Sequence, residues 1–172
     1  MPDETQRLIK EKLVGCGAIM KGDFTLSSGK RSDYYVDIKK CITDPNILGL
    51  LSSVIQRYVH GDAIAGVELG AVPLIVGVSI LSGKRYIIVR KDRDHGTGSL
   101  FIGDVSGHIT MIEDVVTTGG SVLRAANLLR ENGATVDECV CVVDREEGGF
   151  ESLEKNGIKL HSLITASMIR HS

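Results

Sequence analysis

Glu113 and Asp114 stand side by side, and Thr117, Thr118, Gly119, Gly120 and Ser121 follow shortly after. Ahead of them Ile109-Thr110-Met111-Ile112 is a short apolar run, and Val122 to Arg130 has helical spacing. The order predicts a buried strand, an acidic pair that ends it, a small polar loop and a helix. Glycines at a helix N-terminus expose backbone N–H groups and a positive dipole end, where anions bind. Thr117, Thr118 and Ser121 add hydroxyl donors. The loop should therefore hold a phosphate, with Glu113 and Asp114 accepting from hydroxyls or facing a hydrated cation. A sugar phosphate satisfies both halves. The plainer alternative is a strand–turn–helix junction whose Thr and Ser only cap the helix. Neither a Gly-x-x-x-x-Gly-Lys-Ser/Thr loop nor a Gly-x-Gly-x-x-Gly fingerprint is present.

Three further stretches carry chemistry-bearing side chains. Arg90 is followed directly by Lys91, Arg93 and His95 in a charged, glycine-rich stretch, 91–99, without apolar periodicity. It reads as an active-site lid or as a solvated surface loop. Tyr34 and Tyr35 follow a basic tip, Lys30-Arg31. They suit a hairpin, or a wall for a planar anionic ligand. Arg145 comes just beyond a strand's carboxyl end, where it could clamp a carboxylate in a bidentate way or pair with Glu146 or Glu147. Glu68-Leu69-Gly70-Ala71-Val72 is a second small-residue loop between a strand and a helix, offering backbone N–H groups or merely a connection.

The elements that position these groups alternate. Helices are expected over 4–14, 45–59, 74–81, 122–130 and 150–156. Strands are expected at 24–26, 34–38, 63–67, 85–90, 109–112, 135–143 and 158–164. Such alternation implies an α/β fold with a mainly parallel sheet. At 172 residues with 42% apolar content, one domain with a full core is expected. The net charge of −2 gives no broad nucleic-acid footprint, and no apolar run reaches the length of a membrane span. Met1-Pro2-Asp3-Glu4-Thr5 is polar and acidic, unlike a secretory signal, so a cytoplasmic location is expected. Cys16, Cys41, Cys139 and Cys141 form no Cys-x-x-Cys pair. Disulfides or zinc are possible, and reduced, partly buried thiols are expected.

The assembled residues resemble the type I phosphoribosyltransferases. Ile112-Glu113-Asp114-Val115-Val116-Thr117-Thr118-Gly119-Gly120-Ser121 is similar to that family's motif for 5-phosphoribosyl 1-diphosphate (PRPP). Within the family the orotate branch is the nearest match, through Phe24-Thr25-Leu26 with Ser28-Gly29, Ser32-x-Tyr34-Tyr35, Arg90-Lys91 with His95-Gly96, and Asp144-Arg145. The resemblance implies an open, mainly parallel sheet flanked by helices in a single domain, 1–172. A small hood over the base site would come from 1–40 and 145–172. Residues 113–121 would hold the ribose 5-phosphate. Glu68, Leu69 and Gly70 would meet the pyrophosphate, through a non-proline cis peptide. Arg90, Lys91, Arg93 and His95 would form a catalytic loop reaching a neighbouring subunit's site in a homodimer. Tyr34, Tyr35, Thr117 and Arg145 would bind orotate. Mg²⁺ would accompany PRPP near Asp114, held by substrate oxygens and water with no direct protein ligand.

The sequence departs from the family pattern in places. Its loop is one residue shorter than the usual form, and Arg93 stands where the family has lysine. Ser27 and Gly70 stand where many members have lysine. The expected activity is transfer of the phosphoribosyl group to orotate in UMP biosynthesis. A phosphoribosyltransferase for another base, or a non-catalytic PRPP-binding regulator, are the alternatives.

Overall fold

The computed structural model describes residues 3–25, 31–91 and 99–170. Helix α1 (Glu4–Gly15) starts with a capping box: Asp3 accepts from the Gln6 N–H while Gln6 reaches back to the Asp3 N–H. It buries Ile9 and Leu13. A hairpin follows, β1 (Ile19–Thr25) antiparallel to β2 (Arg31–Val36), standing apart as its own small sheet. A single 3₁₀ turn, Ile38–Lys40, leads to α2 (Pro45–Ile55). The Asp44 carboxylate accepts from the Asn46 and Ile47 N–H groups, and Pro45 occupies the first turn, where its missing N–H costs nothing.

The remaining chain builds the main sheet. In order come β3 (Ala63–Val67), α3 (Val72–Ser82), β4 (Arg85–Val89), β5 (Phe101–Ile102), β6 (His108–Val116), α4 (Gly120–Glu131), β7 (Thr135–Asp144), α5 (Gly149–Lys155), β8 (Lys159–Thr165) and α6 (Ala166–Arg170). The strand order is β5-β4-β3-β6-β7-β8, parallel throughout except for the short antiparallel β5. β3 is buried at every residue, as a central parallel strand covered on both faces must be. One apolar layer, with Ile64, Ile112, Val140 and Val142, packs beneath α1, α2 and α3. The other, with Ile109, Met111, Cys139 and Cys141, packs beneath α4 and α5. Leu129 of α4 is fully buried in that second layer. Truncating it to alanine should cost about 2–5 kcal/mol.

The fold class is the expected one, with specific differences. β6 does not stop before its acids. It stays paired with β7 through Val116, which lies opposite Asp144, so the ladder overrides the local polarity. β5 and α6 are additional elements too short to leave a periodic signature. β8 is an edge strand of the main sheet, and Arg145 and Arg170 reach the hairpin at Tyr34. Cys16 and Cys41 are joined as a disulfide with Cα atoms 5.9 Å apart, which corrects the expectation of reduced thiols there. The end of α1 and the end of the 3₁₀ turn meet in space although 25 residues separate them in sequence. Cys139 and Cys141 are free and buried. Burial pushes the Cys141 thiol up to about 12, so it stays protonated and unreactive. No helix among the described residues is long and apolar enough to cross a membrane.

Candidate active site

β3 and β6 are neighbours, but the chain leaves them in opposite directions, β3 towards β4 and β6 towards β7. A crevice opens at the carboxyl ends of two such strands, the switch point where open α/β sheets bind ligands. Here it brings the loop after β3 against the end of β6. The resulting cavity, about 350 Å³, is lined by Glu68, Leu69, Gly70, Glu113, Asp114 and Ser121, with Lys39 and Lys91 bringing ammonium groups. A larger cavity of about 640 Å³ shares Lys91 and Ser121 with it and adds Arg90 and Arg124.

The acids at the end of β6 differ in environment. Glu113 is 6% exposed, and its carboxylate accepts from the Asp114 N–H at 3.1 Å. Burial, and then the neighbouring Asp114 carboxyl, hold Glu113 well above the usual carboxylate range, with Lys91 opposing weakly. Asp114 Oδ1 accepts from the Val115 N–H at 2.9 Å, while Oδ2 lies 3.9 Å from Lys39 Nζ. The polar loop then turns into α4 through Gly119, whose φ of +78° is a left-handed conformation that side chains resist. Thr117 and Thr118 are exposed, and no side chain caps α4. None of these hydroxyls caps the helix, whose first-turn N–H groups have no intrahelical acceptor.

On the opposite wall, Glu68–Leu69 is a non-proline cis peptide, as the resemblance implied. The Lys91 N–H donates to Glu68 Oε1 at 2.9 Å, and the Arg90 N–H to the Leu100 carbonyl at 2.8 Å. These bonds anchor both ends of the charged loop to the crevice rim. Arg93 and His95 lie outside the described residues. Gly70 lies close to Asp114: a Cβ there would sit 2.1 Å from Oδ2, so the carboxylate would have to shift.

At the far end of β6 the Arg145 N–H donates to the Val116 carbonyl at 2.9 Å, which sets Arg145 beside Thr117. Its guanidinium pairs with Glu147 at 3.0 Å and lies over the Tyr34 ring at 5.2 Å. Its Nε is buried without a hydrogen-bond partner among the described residues. Arg170 covers the same ring at 5.1 Å. Tyr34 is 1% exposed, with both guanidinium groups over its ring. Adjacent residues on a strand face opposite sides, so Tyr35 is the open one, 36% exposed and packed on Phe24 at 5.7 Å between centroids. Lys39 and Arg170 were not anticipated. Each follows an ordinary element and reaches the site only through tertiary contact, so no local spacing marked them.

Among the described residues, His108, Asp137 and Glu138 present possible metal-ligand atoms within 4.8 Å of one another. They belong to the opposite, amino edge of the sheet, where His108 already pairs with Asp137.

No protein-family model matches the chain. It is 56% identical to the orotate phosphoribosyltransferase of Thermoplasma volcanium over 165 residues, covering 95% of this chain and 99% of that one. The Thermoplasma acidophilum enzyme of the same name is 54% identical, covering 94% and 96%. Among solved structures, orotate phosphoribosyltransferase from Aeropyrum pernix superposes with a TM-score of 0.82 at 30% identity, covering 94% of this chain and 95% of that chain. These relatives match over nearly the full length of both chains, and the chain belongs to the orotate phosphoribosyltransferase family.

Proposed function

We propose that the chain transfers the 5-phosphoribosyl group of PRPP to orotate, giving orotidine 5′-phosphate and pyrophosphate in pyrimidine biosynthesis. The carrying observation is the crevice between β3 and β6, where an uncapped helix start, two acids and two ammonium groups line one cavity. In this reading the first turn of α4, with Thr117, Thr118 and Ser121, takes the 5-phosphate through backbone N–H and hydroxyl donors. Glu113 and Asp114 accept from the ribose hydroxyls. The loop 68–70 and Lys91 face the diphosphate. Arg145 exchanges part of its pairing with Glu147 for the orotate carboxylate, and its buried Nε supplies a second donor.

The C1–oxygen bond to pyrophosphate breaks and a bond from C1 to a ring nitrogen of orotate forms. The sugar develops cationic character on the way, as in glycoside cleavage. Positioning and stabilisation of the departing diphosphate supply most of the acceleration, which puts the weight on Arg90, Lys91, Arg93 and His95. Mg²⁺ belongs to this reading: the cavity offers carboxylate oxygens, hard donors suited to it, and Asp114 is the more open of the two acids. When bound, the ion would neutralise charge on the diphosphate. A homodimer with shared sites is also part of the proposal, and the exposed apolar Ile80, Leu81 and Tyr86 give it a surface to cover.

The assay is loss of orotate absorbance by purified protein with Mg²⁺ and PRPP. Turnover with orotate and none with adenine or hypoxanthine is expected. Turnover with a purine alone, or PRPP binding without turnover on any base, would overturn the proposal.

A further inference from the structure

Lys39 sits in the 3₁₀ turn that follows the hairpin. The turn is pinned on both sides of it. Ile38 is fully buried in the core, and Cys41 is tied to Cys16. The side chain itself is 56% exposed and extends to the crevice, with Nζ 3.4 Å from Asp37 Oδ1 and 3.9 Å from Asp114 Oδ2. Asp37 Oδ1 is buried and forms no hydrogen bond among the described residues, where the ammonium holds it through a long ion pair. Lys39 is thus an anchored cation in two loose contacts, neither of which satisfies its donors in full.

Among the described residues, the cavity it enters is lined by more carboxyl than ammonium groups. Glu68, Glu113 and Asp114 contribute three carboxyl groups, against the two ammonium groups of Lys39 and Lys91. The loop after β3 brings no cation from position 70, since Gly70 has no side chain and lies close against Asp114. A polyanion entering this cavity needs a cation on the wall between Gly70 and Asp114, and Lys39 is the residue that delivers one.

We propose that Lys39 is a diphosphate ligand of this active site, moving from Asp114 to the pyrophosphate of PRPP and releasing the Asp114 carboxylate to face the sugar and its cation. This rests on the phosphoribosyl-transfer reading above. It also gives the hairpin a link to the diphosphate, since the turn that carries Lys39 directly continues β2.

The test uses the full-length protein with Lys39→Ala, Lys39→Met and Lys39→Arg. In Lys39→Ala the PRPP KM and the inhibition constant of pyrophosphate should both rise about tenfold, the loss of one charge-assisted contact. The orotate KM should stay within about twofold, below what a lost charged contact would cost. Lys39→Met should behave like Lys39→Ala, and Lys39→Arg should recover most of the loss. A pyrophosphate inhibition constant unchanged in Lys39→Ala would overturn the proposal. So would recovery by Lys39→Met, which keeps the packing and removes the charge. If the wild type does not turn over orotate, calorimetric titration with pyrophosphate and Mg²⁺ decides separately. Tenfold weaker binding in Lys39→Ala then supports the diphosphate site while the orotate reading fails, and equal binding rejects the site itself.

Discussion

At the amino end of β6 and β7, His108 meets Asp137 and His60 Nδ1 lies 3.0 Å from Glu138. Beside them Lys84 Nζ donates to the Gly61 carbonyl and Arg85 to the Ser106 carbonyl at 2.6 Å. At the carboxyl end of β6, Glu113 is buried against a second acid, Asp114 reaches a cation only at 3.9 Å, and the start of α4 has no cap. The residue types are much the same at both ends. At the amino edge Asp137 and Glu138 lie near each other, but each also has an imidazole as a direct partner. At the carboxyl edge acid neighbours acid and the cations face a cavity. The second arrangement lowers stability, and the deficit is offset only when a ligand supplies hydroxyls, phosphate oxygens and a metal ion.

The largest effect expected from breaking this contrast is in Lys91→Ala, whose ammonium faces the cavity. Turnover should fall about a hundredfold or more, the usual consequence of removing one transition-state donor, with a smaller change in PRPP KM. Equal losses in both would assign Lys91 to binding alone. Next is Arg145→Ala. The orotate KM should rise about 10–100-fold, as for a lost charged hydrogen bond, with PRPP KM little changed. An unchanged orotate KM would remove Arg145 from the base site.

Glu113→Gln sharpens the comparison through stability. An acid held above its usual range binds its proton more tightly when folded than when unfolded. Wild-type stability therefore falls as pH rises from the ordinary carboxylate value of 4.5 through the raised one. Glutamine lacks that penalty. The variant's unfolding temperature should exceed the wild type's at pH 7, the gap closing towards pH 4.5, while PRPP binding weakens. A lower unfolding temperature at pH 7 would show that the carboxylate is compensated after all. The smallest effect belongs to the amino edge. His108→Ala should leave turnover unchanged and cost no more than about 1 kcal/mol in denaturant unfolding, because exposed ion pairs contribute little.

The same contrast explains what the sequence made legible. The β6–loop–α4 unit could be read because its chemistry is contiguous: acids, hydroxyls and glycines follow one another over residues 113–121. The end of β6 could not, since a polar pair looks like a terminator until β7 is known to pair with it. Tyr34 and Tyr35 looked equivalent as a pair, although strand alternation already required them to face opposite ways. Lys39, Arg170 and the Cys16–Cys41 bond depend on segments far apart in the chain meeting in space, which spacing along the chain does not encode. The Arg93 and His95 expectations lie outside the described residues.

Two aspartates, one at each edge, allow the most direct test. PRPP affinity should be measured by calorimetry with Mg²⁺ for the wild type, Asp114→Asn and Asp137→Asn. Asp114→Asn should weaken binding by about tenfold or more, the scale of one lost charged contact, and Asp137→Asn should match the wild type. Equal affinities in all three proteins, or a larger loss in Asp137→Asn, would contradict the placement of the site at the carboxyl edge.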